Sequence, residues 1–196
     1  MYLEHLFVAD YRNLRMAELQ LSPKINCFAG NNGVGKTNLL DAVYYLSFCK
    51  SAFNALDSQI IRHDADGFQL QGTYVMPDSS KSSISCNAKA KGRKQIKRDK
   101  KEYQRFSEHI GYIPLVMVSP SDTQLIIGGS EERRKFIDAF ISQYDKEYLK
   151  QLIVQDADQE VEAGIAVGND CKQCRLFLSD GVQLQLIGHG QLRQFG

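Results

Sequence analysis

Residues 30–37 read Gly30-Asn31-Asn32-Gly33-Val34-Gly35-Lys36-Thr37, the phosphate-loop pattern G-x-x-x-x-G-K-[ST]. Few short patterns constrain a fold so tightly. The loop must leave a buried strand and open a helix, so that its backbone N–H groups and the positive helix end converge on one anion. Glycines are required because a Cβ would obstruct that convergence. The flanks comply. Ile25-Asn26-Cys27-Phe28-Ala29 is short and rich in strand formers, and Leu39, Leu40, Val43 and Leu46 then fall on one helical face. Four fixed positions would match by accident in roughly one chain in a hundred of this length.

The pattern also assigns chemistry. Gly30, Asn31, Asn32, Gly33, Val34, Gly35, Lys36, Thr37 and the following Asn38 are the expected nucleotide-binding residues. Lys36 would reach the β- and γ-phosphates, and the Thr37 hydroxyl would hold Mg²⁺. Lys36 and Thr37 are therefore the candidate catalytic residues, Thr37 the metal ligand, and ATP and Mg²⁺ the expected cofactors.

Around the loop the periodicity is mostly that of strands. Leu3, Leu6 and Val8 mark a first strand, and Ala17, Leu19 and Leu21 alternate in a second. Phe68 to Tyr74 and Ile84 to Ala90 alternate on either side of the turn Met76-Pro77-Asp78-Ser79-Ser80, which reads as an antiparallel pair. Ile113 to Val118 reads as a buried strand. Ser130 is the expected N-cap of a helix whose apolar stripe runs from Phe136 through Phe140 and Tyr144 to Leu152. That stripe is expected to pack inside the protein. Antiparallel strands on both sides of the phosphate-loop helix do not fit a simple alternating α/β sheet. They fit an ATPase head in which an antiparallel layer covers the nucleotide-binding layer.

Charge is unevenly distributed. Between residues 89 and 105 stand nine basic residues, Lys89, Lys91, Arg93, Lys94, Lys97, Arg98, Lys100, Lys101 and Arg105, opposed only by Asp99 and Glu102. The remaining chain holds 15 basic and 21 acidic residues. A basic segment on an acidic body suggests a polyanion contact, with Tyr103 and Phe106 placed to stack or wedge; a solvated basic loop is the other reading.

The first 150 or so residues resemble RecF, a bacterial DNA-repair ATPase family of the ABC/SMC-like class. Four separated elements carry the resemblance: Asp10-Tyr11-Arg12-Asn13-Leu14; the phosphate loop continuing through Asn38-Leu39-Leu40-Asp41-Ala42; Ile61-Arg62-His63; and Val118-Ser119-Pro120-Ser121-Asp122 followed by Gly128-Gly129-Ser130, Arg133, Arg134, Phe136 and Asp138. Ser121 stands where the family usually has Glu. The resemblance implies an ABC-type α/β head, with a mixed sheet around the phosphate-loop helix and an antiparallel β layer. It implies that Arg12 and Asn13 touch the nucleotide, that Asp122 lies in a loop sensing the γ-phosphate, and that the basic segment faces DNA. It further implies an ATP-dependent homodimer, duplex DNA near single-strand gaps, the partners RecO and RecR, and a role in DNA replication, repair and the SOS response.

Family members are nearly twice as long, and the fold is expected to be incomplete. Residues 1–153 read as the RecF-like lobe; residues 154–196 are an unassigned tail, with a β-hairpin expected at 175–187. No apolar strand ending in two acidic residues follows the loop, and no signature motif is recognisable, so nucleotide binding without hydrolysis is a competing reading. An unrelated phosphate-loop phosphotransferase is another. No apolar run of 18 residues marks a membrane span and no secretory signal opens the chain. Five cysteines at uneven spacing read as reduced thiols of a cytoplasmic protein, with a Cys171/Cys174 metal site as the lesser alternative.

Overall fold

The computed structural model describes residues 1–53, 56–158, 175–178 and 183–188. Two sheets sandwich one helix. The first sheet is six-stranded and antiparallel, in the order β2-β1-β4-β5-β6-β7. Its strands are β1 (Tyr2–Tyr11), β2 (Leu14–Gln20), β4 (Gly67–Val75), β5 (Lys81–Lys89), β6 (Gln95–Arg98) and β7 (Lys101–Glu102). Alternation sets its faces. Leu3, Leu6, Val8, Phe68, Leu70, Tyr74, Ile84, Cys86 and Ile96 point inward and are buried. Gln69, Gln71, Ser83 and Ser85 form the more exposed opposite face.

The second sheet runs β3-β10-β9-β8, built from β3 (Ile25–Gly30), β8 (Leu115–Val118), β9 (Arg175–Leu178) and β10 (Gln183–Gly188). β9 pairs with β10 antiparallel, and β10 lies parallel to β3 with Gly188 opposite Gly30. A turn at Asp180-Gly181 lies outside the described residues, as do Cys171 and Cys174.

Helix α1 (Lys36–Phe48) contacts β1, β4 and β5 on one side and β3, β8 and β10 on the other. Leu39, Leu40, Ala42, Val43, Tyr45, Leu46 and Phe48 are all buried, so the helix is apolar around most of its circumference, where the periodicity shows only one face. The remaining α-helices among the described residues are the short α2 (Asp57–Ile60) and α3 (Gln124–Ile127) and the longer α4 (Ser130–Tyr144) and α5 (Lys146–Asp158).

Two details differ from the sequence reading. Gly129, not Ser130, occupies the cap position of α4; Ser130 is already helical, and its hydroxyl accepts from Arg134 Nη2 at 2.6 Å. The long stripe is also two helices. Asp145 is extended, and its carboxylate accepts from the backbone N–H groups of Glu147 and Tyr148, which caps α5 and breaks the run. Phe136, Ile137, Phe140 and Tyr144 are left 41–64% exposed rather than packed inside. No helix among the described residues is long and apolar enough to cross a membrane.

Candidate nucleotide site and basic hairpin

β3 delivers the chain to Gly30, and α1 begins at Lys36 with Gly35 at φ +103 in the cap position. No side chain caps this helix, and no acidic residue occupies its first turn, which leaves its first N–H groups to an external anion. At Gly35 the backbone φ of +103 strains any side chain, and a Cβ would also lie 2.6 Å from Leu14 Cδ2 and 2.7 Å from Asn13 Oδ1, which would have to move. Lys36 Nζ donates to the carbonyls of Gly30 and Asn31 at 2.8 and 2.7 Å, which folds the ammonium over the loop mouth. The donor set fits a nucleotide phosphate: the uncapped first turn of α1, a cation and, at the second helical residue, the Thr37 hydroxyl.

From the sequence-expected set outside the loop, the structure brings Asn13 and Asn38 to it. Asn13 Nδ2 donates to the Gly33 carbonyl at 2.8 Å, and its Oδ1 accepts from Asn38 Nδ2 at 2.8 Å. Arg12 sits beside them, but its Nε and Nη2 are directed to Asp41 and Ser51 at 3.0 and 2.8 Å. Asp122 bonds locally: its carboxylate accepts from the Ser119 N–H within its own turn. Sequence reasoning quoted Tyr11 and Asp41 only as parts of family-like elements, without a role, and passed over Ser51. The available signal was an acidic residue in the middle of an apolar helix, and Asp41 is fully buried. Burial, with the Asp41 charge beside it, pushes the Tyr11 hydroxyl far above its usual range.

The basic segment is a folded hairpin rather than a loop. β6 and β7 meet through Asp99 and Lys100, both at positive φ, a conformation suited to a two-residue hairpin turn. The Asp99 carboxylate pins the turn by accepting from the Ser83 N–H at 2.8 Å and the Ser82 hydroxyl at 3.0 Å. Lys89, Lys91, Arg93, Arg98, Lys100, Lys101 and Arg105 are exposed, and Lys97 is half-buried. Lys94 is not available to DNA in this arrangement. Its ammonium lies 2.9 Å from Asp57 Oδ2, donates to the Cys49 carbonyl at 2.8 Å, and sits over the Tyr45 and Phe106 rings. Nor are Tyr103 and Phe106 placed to stack on bases: Tyr103 is buried and Phe106 packs against the core. Among the described residues no cluster of three or more His, Cys, Asp or Glu is arranged for a metal.

A nucleotide-type loop on a helix held between a mixed sheet and an antiparallel layer defines the class: an ABC-type ATPase head. The chain belongs to the AAA ATPase domain family, whose model matches residues 1–165. It is similar to the DNA replication and repair protein RecF of Bacteroides thetaiotaomicron, 58% identical over 153 residues that make up 78% of this chain and 42% of that protein. Its fold is similar to a solved structure of the recombination mediator RecF with ATP, at a TM-score of 0.73 and 32% identity over 80% of this chain and 43% of the other. An SMC ATPase head shares the fold at a TM-score of 0.59 and 18% identity, over 71% of this chain and 99% of the other. The chain thus spans about two-fifths of the length of the RecF proteins it matches.

Proposed function

We propose that this chain binds ATP with Mg²⁺ at residues 30–38 and contacts duplex DNA through its basic hairpin, as part of a cytoplasmic DNA replication and repair ATPase. The observation that carries the reading is the uncapped N-terminus of α1 at Lys36, preceded by Gly35 at a φ of +103 that a side chain would strain. Lys36 would leave the Gly30 and Asn31 carbonyls for phosphate oxygens, and Thr37 would hold Mg²⁺. Bound Mg²⁺ would neutralise phosphate charge. Asn13 reaches the loop from the first hairpin, Arg12 precedes it in the chain, and both would touch the nucleotide, with Asp122 as the sensor of the γ-phosphate. The exposed lysines and arginines of the hairpin would bind phosphates of either strand, giving salt-dependent affinity with little sequence preference. The RecF likeness supports an ATP-dependent homodimer acting near single-strand gaps with RecO and RecR, and a place in the SOS response.

Hydrolysis is a separate matter. Phosphoryl transfer to water requires a metal-binding acid and a group that orients the water. The sequence carries no recognisable acidic strand end or signature motif after the loop, and binding without turnover is the competing reading. The deciding experiment measures ATP binding and ATP-dependent retention on duplex DNA for the 196-residue chain and for Lys36→Ala. Loss of both in the variant is the expected result. DNA retention that ignores ATP in both proteins would overturn the coupling.

A further inference from the structure

Asp41 lies on α1, one turn beyond Thr37, and receives four donors. They are the Tyr11 hydroxyl at 2.7 Å, Arg12 Nε at 3.0 Å, the Ser51 hydroxyl at 2.8 Å and the Ala52 N–H at 2.8 Å. This is a carboxylate with its charge paired and its lone pairs used, the condition under which burial is tolerated. Two of the donors, Tyr11 and Arg12, belong to the end of β1 and its turn into β2.

That turn is held in a costly conformation. Tyr11 pairs with Leu14, so Arg12 and Asn13 form a two-residue loop. Arg12 stands at φ +54, where a side chain is disfavoured and glycine is the usual occupant. Such a conformation persists only when its surroundings hold it. Three bonds hold Arg12: its N–H donates to the Ile60 carbonyl at 2.6 Å, and its guanidinium to Asp41 and Ser51.

The consequence falls on the next residue. With Arg12 fixed, Asn13 is aimed at the phosphate loop, donating to Gly33 and accepting from Asn38. Asn13 and Leu14 also fill the space beside Gly35. Lys36 Nζ ties the Gly30 and Asn31 carbonyls at the start of the loop, and Asn13 ties the Gly33 carbonyl in its middle. The contacts close a ring: loop to α1, α1 through Asp41 to Arg12, Arg12 to Asn13, and Asn13 back to the loop.

We infer that Asp41 is a positioning residue for the phosphate loop, acting through Arg12 and Asn13 to hold the loop in its anion-binding shape. The inference rests on the reading of the loop as a nucleotide site. The test is a double-mutant cycle on Mg·ATP affinity, read by isothermal titration of the whole chain. Asp41→Asn and Asn13→Ala are each expected to weaken binding about tenfold. The double variant is expected to stay within about threefold of the weaker single, because both changes release the same brace. A core residue whose loss merely softened the protein would give penalties that multiply. Multiplying penalties, or Asp41→Asn binding within about twofold of wild type, would overturn the inference. If Asp41→Asn does not fold, Ser51→Ala takes its place in the same cycle, since it removes one bond to Asp41 and one to Arg12. Wild-type binding that Lys36→Ala abolishes, alongside an unaffected Asp41→Asn, would leave the nucleotide reading intact and remove only the role of Asp41. Absence of Mg·ATP binding by the wild-type chain would remove both.

Discussion

The Lys94 ammonium lies 2.9 Å from Asp57 Oδ2 and is only 17% exposed, although it stands in the middle of the most basic stretch of the chain. Its neighbours explain the orientation. The Cys49 carbonyl at the end of α1 accepts from it, and a cation at a helix C-terminus is favoured by the helix dipole.

Lys94 should therefore behave unlike its neighbours. Replacing Lys97, Lys100 and Lys101 together with Ala should lower the slope of log affinity for duplex DNA against log salt by up to about 3, at nearly unchanged stability. Lys94→Ala should leave the slope unchanged and cost about 1–3 kcal/mol of folding stability, because Asp57 loses its cationic partner and keeps only the Tyr45 hydroxyl in a partly buried site. Filter binding across a salt series and urea melts of both variants check the pair.

Gly35→Ala should abolish Mg·ATP binding. The substitution would place a methyl group 2.6 Å from Leu14 Cδ2 at a backbone φ of +103. Gly33→Ala meets no neighbour within 4 Å, so it carries only the backbone strain of φ +83 and should weaken binding less, by roughly tenfold. Titration calorimetry on the two variants orders the effects.

His109 predicts an acid-side loss of stability. Its ring is fully buried, and Nε2 lies 2.7 Å from the Leu46 carbonyl, so that nitrogen carries the proton of a neutral ring. Burial pulls its pKa below the usual value, with Lys146 and Arg98 adding repulsion, and the Tyr103 and Tyr112 rings flank it. The unfolded chain then binds the extra proton first, so stability falls as pH drops through about 6.5. Denaturant melts between pH 7.5 and 5.5 should show this slope, and His109→Gln should flatten it.

Thiol reactivity should separate the described cysteines. Cys27 is exposed on β3, whereas Cys49 and Cys86 are buried. Burial pushes the Cys49 thiol up to about 12 and raises Cys86 as well, which removes the reactive thiolate at neutral pH. In a Cys171→Ser/Cys174→Ser background, a thiol reagent should titrate one group quickly. The other two should react only as fast as the protein unfolds.

Contiguous residues were enough to specify the strand–loop–helix unit, the alternating strands of the antiparallel layer and the placement of positive charge at 89–105. Each of these is a local pattern, with a period of 2 or 3.6 residues or a fixed spacing, and local backbone physics reads it directly. The Asp145 break was legible only in part, because an apolar stripe continues across it and a single cap interrupts the helix.

Tertiary structure alone decided the remainder. Arg12 and Asp41 are 29 positions apart, and Lys94 and Cys49 are 45 apart. Sheet register and the wedging of α1 between two layers bring these pairs together, and neither is written in any short stretch of sequence. The same long-range packing turns Lys94 inward, buries Tyr103 and braces the loop through Asn13. Thus the sequence by itself determined a phosphate-loop pattern between a strand and a helix at residues 30–37. Which side chains stand against that loop was decided only when distant strands met, since a buried charge must find its partners wherever the fold places them.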